Sequence, residues 1–223
     1  MSRPLSQLLY HRIQEGTGTP RIITLHGHNQ MGDDVKDLGM QAAPDGRVIS
    51  LESYKGVFVG REIVGYTWFI GPLNTPSPLF FGDALAEIEK FLWDEIDRQG
   101  TAEAELPFLI GPEQGGIMAL AAALAVPDLL SGVIAIDAFL PIVPGWEPPL
   151  APLEGLPILL VEHSPSAEPA GVLAGQRLAD QLTEWGATVT RLVGSQAGEE
   201  KLDLSTWTRL QPTRQISVDP VAT

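Results

Sequence analysis

The sequence predicts an α/β chain with a mostly parallel central sheet and helices on both faces. Three observations carry this. Apolar runs of strand length alternate along the chain with amphipathic or Ala-rich runs of helix length. The strand-like runs are rich in Ile, Leu and Val without a polar side, as expected of strands covered on both faces. A length of 223 residues, with 44% apolar and 19% charged residues, suits one such core, a single domain over residues 1–223.

The elements follow in order. LLYHRIQ alternates loosely and reads as an edge strand, with His11 on its surface; GTGTP is a turn. RIITLHG is a buried strand ending at Gly27, followed by the polar loop HNQMGDD. DVKDLGMQAA reads as a helix and RVISLES as a strand. Residues 54–80, with Gly, Pro and six aromatics, read as one long irregular loop, either functional or capping the core. DALAEIEKFLWDEIDRQG is an amphipathic helix with Ala84, Ile88, Phe91, Leu92 and Ile96 on one face, Asp83 as its cap and Gly100 at its end. LPFLIG is a strand, GGIMALAAALAV a buried helix, and SGVIAIDAFLP a strand and loop. LPILLVEHS is a strand, AGVLAGQRLADQLTEWG a helix and ATVTRLV a last strand. The tail over 201–223 is expected to dock through Trp207 and Leu210 and to fray over VDPVAT.

The net charge of −14 repels phosphate backbones and anionic lipid heads, so neither nucleic acid nor membrane is expected as a partner. The absence of cysteine removes disulfides, thiolate nucleophiles and Cys-based zinc sites. The N-terminal segment has no apolar signal core, and a cytoplasmic location is expected by default. In parallel sheets the ligand crevice lies beyond the carboxyl ends of the strands. That places the loops HGHNQ, GPEQGG, DAFLP and VEHSPSAEP at the site.

These segments, with GYTWF and the closing WGATVT, resemble in order the carboxylesterase/phospholipase family, the acyl-protein thioesterase-like branch of the α/β-hydrolases. The resemblance covers roughly residues 20–200. It implies the α/β-hydrolase fold, a Ser-Asp-His triad and an oxyanion hole of backbone amides. The triad positions are all changed here. The elbow, G-x-S-x-G in the family, reads Gly111-Pro112-Glu113-Gln114-Gly115, which puts Glu113 at the nucleophile position. Ser166 stands nearest the acid position, with Glu168 close by, and Gln196 at the base position. No histidine follows His163 anywhere in the chain, so the base of that chain order is absent. An ionised carboxylate has no hydroxyl proton to lose and is a weak nucleophile.

What the resemblance leaves in place is the hole. The amides of His28 and Gln114 would supply it, and the Glu113 carboxylate is expected to be held by these amides and the helix N-terminus. His163, Asp137 and Trp68 are candidate assisting residues at the same edge, with Asp137 either pairing with a ligand or capping its loop. Three other roles for Glu113 compete: covalent nucleophile, metal ligand with His28 and His163, and general base of non-hydrolytic chemistry. The leading expectation is a pseudo-hydrolase without a metal or cofactor. It would bind a small acyl-like or apolar ligand or a protein partner, with a homo-oligomer as a further expectation. The alternative is an enzyme of altered chemistry built on Glu113 with His28 or His163.

Overall fold

The computed structural model describes residues 9–16, 18–100, 103–163, 173–194, 203–212 and 214–217. In chain order the strands are β1 (Tyr10–Gln14), β2 (Gly18–Leu25), β3 (Gly46–Glu52), β4 (Gly56–Val59), β5 (Glu62–Tyr66), β6 (Glu103–Glu105), β7 (Phe108–Pro112), β8 (Gly132–Ile136), β9 (Pro157–Glu162), β10 (Thr188–Val193) and β11 (Gln215–Ser217). The helices are α1 (Lys36–Ala42), α2 (Pro78–Asp97), α3 (Glu113–Ala125), α4 (Gly175–Glu184) and α5 (Leu204–Leu210).

Seven strands form the central sheet in the order β1-β3-β2-β7-β8-β9-β10. Only the edge strand β1 runs antiparallel; every other pairing is parallel. The period-two alternation of strand side chains explains why the strand sequences are apolar throughout. Ile23, Leu25, Ile49, Leu109, Val133 and Leu160 point to the face covered by α2, α3 and α4. Ile22, Val48, Ile110, Ile134, Leu159 and Val161 point to the face covered by α1 and α5. Helix α3 is buried nearly all round, which its Ala-rich, unpatterned sequence requires.

The expected elements fall where the sequence puts them, with five corrections, the first being that the helix expected from Ala170 starts at Gly175, with Leu173 bridged to Leu140 and Ala174 extended. Residues 54–80 are not wholly irregular: β4 and β5 form an antiparallel hairpin that leaves Phe58, Val59, Ile63 and Val64 exposed. Helix α2 starts earlier than expected, at Pro78 after Ser77, because Pro at the first turn has no amide to leave unpaired. Asp83 therefore lies inside the helix, where it accepts from Tyr54 and pairs with Lys55 at 3.4 Å. His11 is half-buried, edge-on to Phe91 at 5.2 Å, and burial with the nearby Arg98 lowers its pKa. In the tail Trp207 packs edge-on against Phe108, but Leu210 stays exposed and docks on nothing among the described residues. The tail instead adds β11 antiparallel to β6.

Registers fix the geometry of the site. Pro112 lies opposite Ile136, and Ile136 opposite Val161. Glu113 and Asp137, and His163 one residue past the end of β9, therefore leave the sheet on neighbouring strands at its carboxyl edge.

Candidate functional site

Four non-glycine residues among those described have positive φ: Asn29 (57°), Glu113 (46°), Asp137 (48°) and Glu154 (43°). Three of the four sit in loops leaving the carboxyl ends of β2, β7 and β8. Such conformations cost energy and cluster where a fold needs a side chain aimed in a set direction. At Glu113 the strain comes from a tight strand-to-helix elbow. Its glycines are demanded by close approach. A Cβ at Gly115 would fall 2.1 Å from Leu25 O, and one at Gly111 would fall 2.5 Å from Gly115 C. One at Gly116 would fall 2.7 Å from Gly111 O. The tight turn that carries Glu113 is thus fixed by three glycines, at each of which a side chain would meet backbone.

The Glu113 side chain is exposed, and its Oε2 would lie 3.4 Å from a Cβ at Gly27. It thus leans toward the end of β2, where the hole is expected. The expected clamp is corrected: among the described residues no hydrogen bond joins its carboxylate to the His28 or Gln114 amide. A carboxylate open to water keeps its hydration unless a better set of donors replaces it. The amides of the first helical turn have no intrahelical acceptor.

Gln114 does more than lend an amide. Its side chain is buried; Oε1 accepts from Trp68 N at 2.7 Å and lies 2.9 Å from Thr67 Oγ1, while Nε2 donates to Phe69 O at 3.1 Å. The elbow thereby holds the loop after β5 against the first turn of α3. Thr67 Oγ1 has one proton, shared among Gln114 Oε1 at 2.9 Å, Phe69 O at 2.8 Å and His28 Nδ1 at 3.1 Å, and the direction of the last bond follows the imidazole tautomer. The His28 imidazole is thus turned to Thr67 and makes no contact with Glu113 among the described hydrogen bonds.

Below this lies a support the sequence did not announce. Trp68 is fully buried rather than lining the crevice. It stacks on His26 at 4.9 Å and donates Nε1–H to His26 O at 2.8 Å. His26 Nε2 accepts from Ser53 N at 3.1 Å, so the ring proton sits on Nδ1, 2.7 Å from Gly27 O. Burial pushes the His26 pKa down to about 4, and the neutral ring braces the loop of the expected hole. Gln30 Oε1 accepts Gly27 N at 2.7 Å, and Asn29 and Gln30 pair with Tyr66.

His163 and Asp137 meet across the ends of β8 and β9. Asp137 accepts from His163 N at 2.9 Å and from His163 Nδ1 at 2.8 Å. Glu162 turns the other way, to a two-pronged pair with Arg191 at 2.7 and 2.8 Å. Ser166, Glu168 and Gln196 lie outside the described residues. Among the described residues no three His, Asp or Glu side chains are grouped to hold a metal ion. The set that Glu113, His28 and His163 would need is not brought together.

This architecture has close counterparts. Carboxylesterases from Mesorhizobium loti and Bacillus cereus superpose with TM-scores of 0.69 and 0.68, each at 18% identity. The first match covers 92% of this chain and 94% of the other; the second covers 84% and 85%. The chain has the α/β-hydrolase fold. In sequence it is 28% identical over 145 residues to NocK of Nocardia uniformis subsp. tsuyamanensis, provisionally named an esterase. That match covers 63% of this chain and 39% of the relative's length. No protein-family model matches the chain. No helix among the described residues is long and apolar enough to cross a membrane.

Proposed function

We propose that this α/β-hydrolase is a pseudo-hydrolase at its elbow: the crevice binds a small acyl-like or apolar ligand, and Glu113 performs no acyl transfer. One observation carries the reading. The strained elbow presents a carboxylate at the nucleophile position, and no imidazole among the described residues is bonded to it. A serine hydrolase needs a hydroxyl whose proton an oriented base removes as the acyl bond forms. A carboxylate has no such proton. It also sets a fixed negative charge beside amides that would serve a developing oxyanion. The likeness to carboxylesterases supports the crevice as the ligand site.

The test is turnover of short-chain p-nitrophenyl esters by the parent, Glu113→Ala and Glu113→Ser. The expected result is that Glu113→Ala is at least as fast as the parent, and that a fluorophosphonate probe labels no serine in the parent. Loss of turnover in Glu113→Ala overturns the reading and makes Glu113 the centre of an altered chemistry.

A further inference from the structure

One pair at the carboxyl edge of the sheet has the geometry of a proton-transfer dyad. Asp137 is held with φ 48°, so that one carboxylate oxygen takes His163 N–H and the other takes the ring Nδ1. A carboxylate only accepts, so Nδ1 carries the ring proton and the lone pair of the neutral imidazole is on Nε2. Among the described residues Nε2 has no partner, and the side chain is 58% exposed. Glu162, the other carboxylate at this strand end, is occupied by Arg191. The dyad leaves the sheet next to Glu113, one and two strands away.

We infer that Asp137 and His163 form a general-base dyad that hydrolyses small esters directly by water, without the elbow and without an acyl-enzyme. Water gives a proton to His163 Nε2 as its oxygen attacks the ester carbonyl carbon. The carbonyl oxygen, briefly negative, faces the His28 and Gln114 amides. The tetrahedral adduct then collapses, the carbon–alkoxy bond breaks, and Nε2–H returns the proton to the leaving alkoxide. The products are one acid and one alcohol, and the imidazole is restored. Asp137 is a positioning residue: it fixes ring direction and tautomer and touches no substrate. The inference rests on the sheet edge being the ligand crevice, and not on Glu113 being inert.

The experiment measures p-nitrophenyl acetate hydrolysis by the parent, Glu113→Ala, His163→Gln and Asp137→Asn, beside 15N spectra of the imidazoles. A positioned general base contributes about 10²-fold or more. The parent rate is expected to fall by about that factor in His163→Gln, whereas Glu113→Ala, which removes a negative charge from beside the two amides, should be at least as fast as the parent. Asparagine tolerates the positive φ but turns an amide N–H toward Nδ1, which moves the ring proton to Nε2. Asp137→Asn should therefore lose the rate together with the Nδ1–H signature. Free imidazole should restore part of the rate in His163→Gly, which covers a glutamine variant that fails to fold. A parent rate no higher than buffer, or an unchanged rate in His163→Gln, overturns the dyad and leaves the reading of Glu113 standing. Loss in Glu113→Ala with His163→Gln unaffected overturns both.

Discussion

Glu113 holds a backbone conformation that costs a non-glycine residue about 1–2 kcal/mol. The strain is present although no acyl transfer is proposed for this residue. Glu113→Gly should then raise stability by about 1 kcal/mol, read as an upward shift of the urea midpoint with unchanged slope. A lower midpoint would mean that Glu113 makes stabilising contacts outside the described residues. His26 gives the matching prediction in pH. Its folded pKa is near 4, below the ordinary 6.5, because burial opposes the charge. As pH falls from about 6.5 to 4, the unfolded chain takes up a proton that the folded chain refuses. This residue's contribution, about 3 kcal/mol, is complete above that window and is lost as pH falls through it. His26→Phe keeps a ring against Trp68 and cannot titrate, so its stability should change less between pH 7 and 4.5. Its overall stability should be lower, because Ser53 N–H loses its acceptor. Equal pH slopes in the two proteins would remove His26 as the cause. The composition of the elbow was legible residue by residue, since Glu113 between Pro112 and Gln114 and the absence of any histidine after His163 need only reading. The Asp137–His163 pair was not, because 26 positions separate the partners and only the parallel register of β8 and β9 joins them.

At the scale of elements, the joint between α3 and the loop after β5 is one glutamine. Gln114 satisfies Trp68 N, Phe69 O and Thr67 Oγ1 in a buried setting. Gln114→Ala strands the buried Trp68 amide, a loss of about 1–3 kcal/mol, leaves Phe69 O to Thr67 Oγ1 alone, and removes a buried methylene worth about 0.8 kcal/mol. The expected outcome is destabilisation by about 2–4 kcal/mol with a red-shifted Trp68 emission as water reaches the loop; an unshifted spectrum would mean that the stack on His26 holds the loop by itself. The sequence pattern found the helices and the parallel strands because burial imposes a strict apolar code on them. It missed the β4–β5 hairpin for the opposite reason. That hairpin is mostly exposed, so neither of its faces was constrained to be apolar or polar, and its Gly and aromatic content resembles a loop. The early start of α2 was missed because an N-terminal Pro reads as a breaker until the elements around it are placed.

The whole molecule carries a net charge of −14, and it still gathers three guanidinium groups on one buried carboxylate. Glu95, 2% exposed, takes Arg21 at 3.1 Å, Arg47 at 3.3 Å and Arg98 at 3.2 Å. The three arginines come from β2, β3 and the end of α2, so the cluster ties α2 to the amino edge of the sheet, opposite the crevice. No spacing in the sequence announces it. Self-repulsion of the surface is long-ranged and screened by salt, whereas a buried cluster is screened far less. The two terms should separate by titration. Added NaCl from 20 to 500 mM should raise the stability of the parent. Glu95→Gln keeps the shape but removes the carboxylate that three cations share, leaving Arg21 only Glu105 at 3.6 Å and Arg47 only Glu15 at 3.7 Å among the described residues, at a cost of about 3 kcal/mol, the low end for a buried pair because the arginines are partly exposed. That cost should be nearly the same at both salt concentrations. If 500 mM NaCl erased it, the cluster would behave as a surface ion pair, and the tie between α2 and the sheet would rest on the apolar contacts of Ile88, Phe91, Leu92 and Ile96 alone.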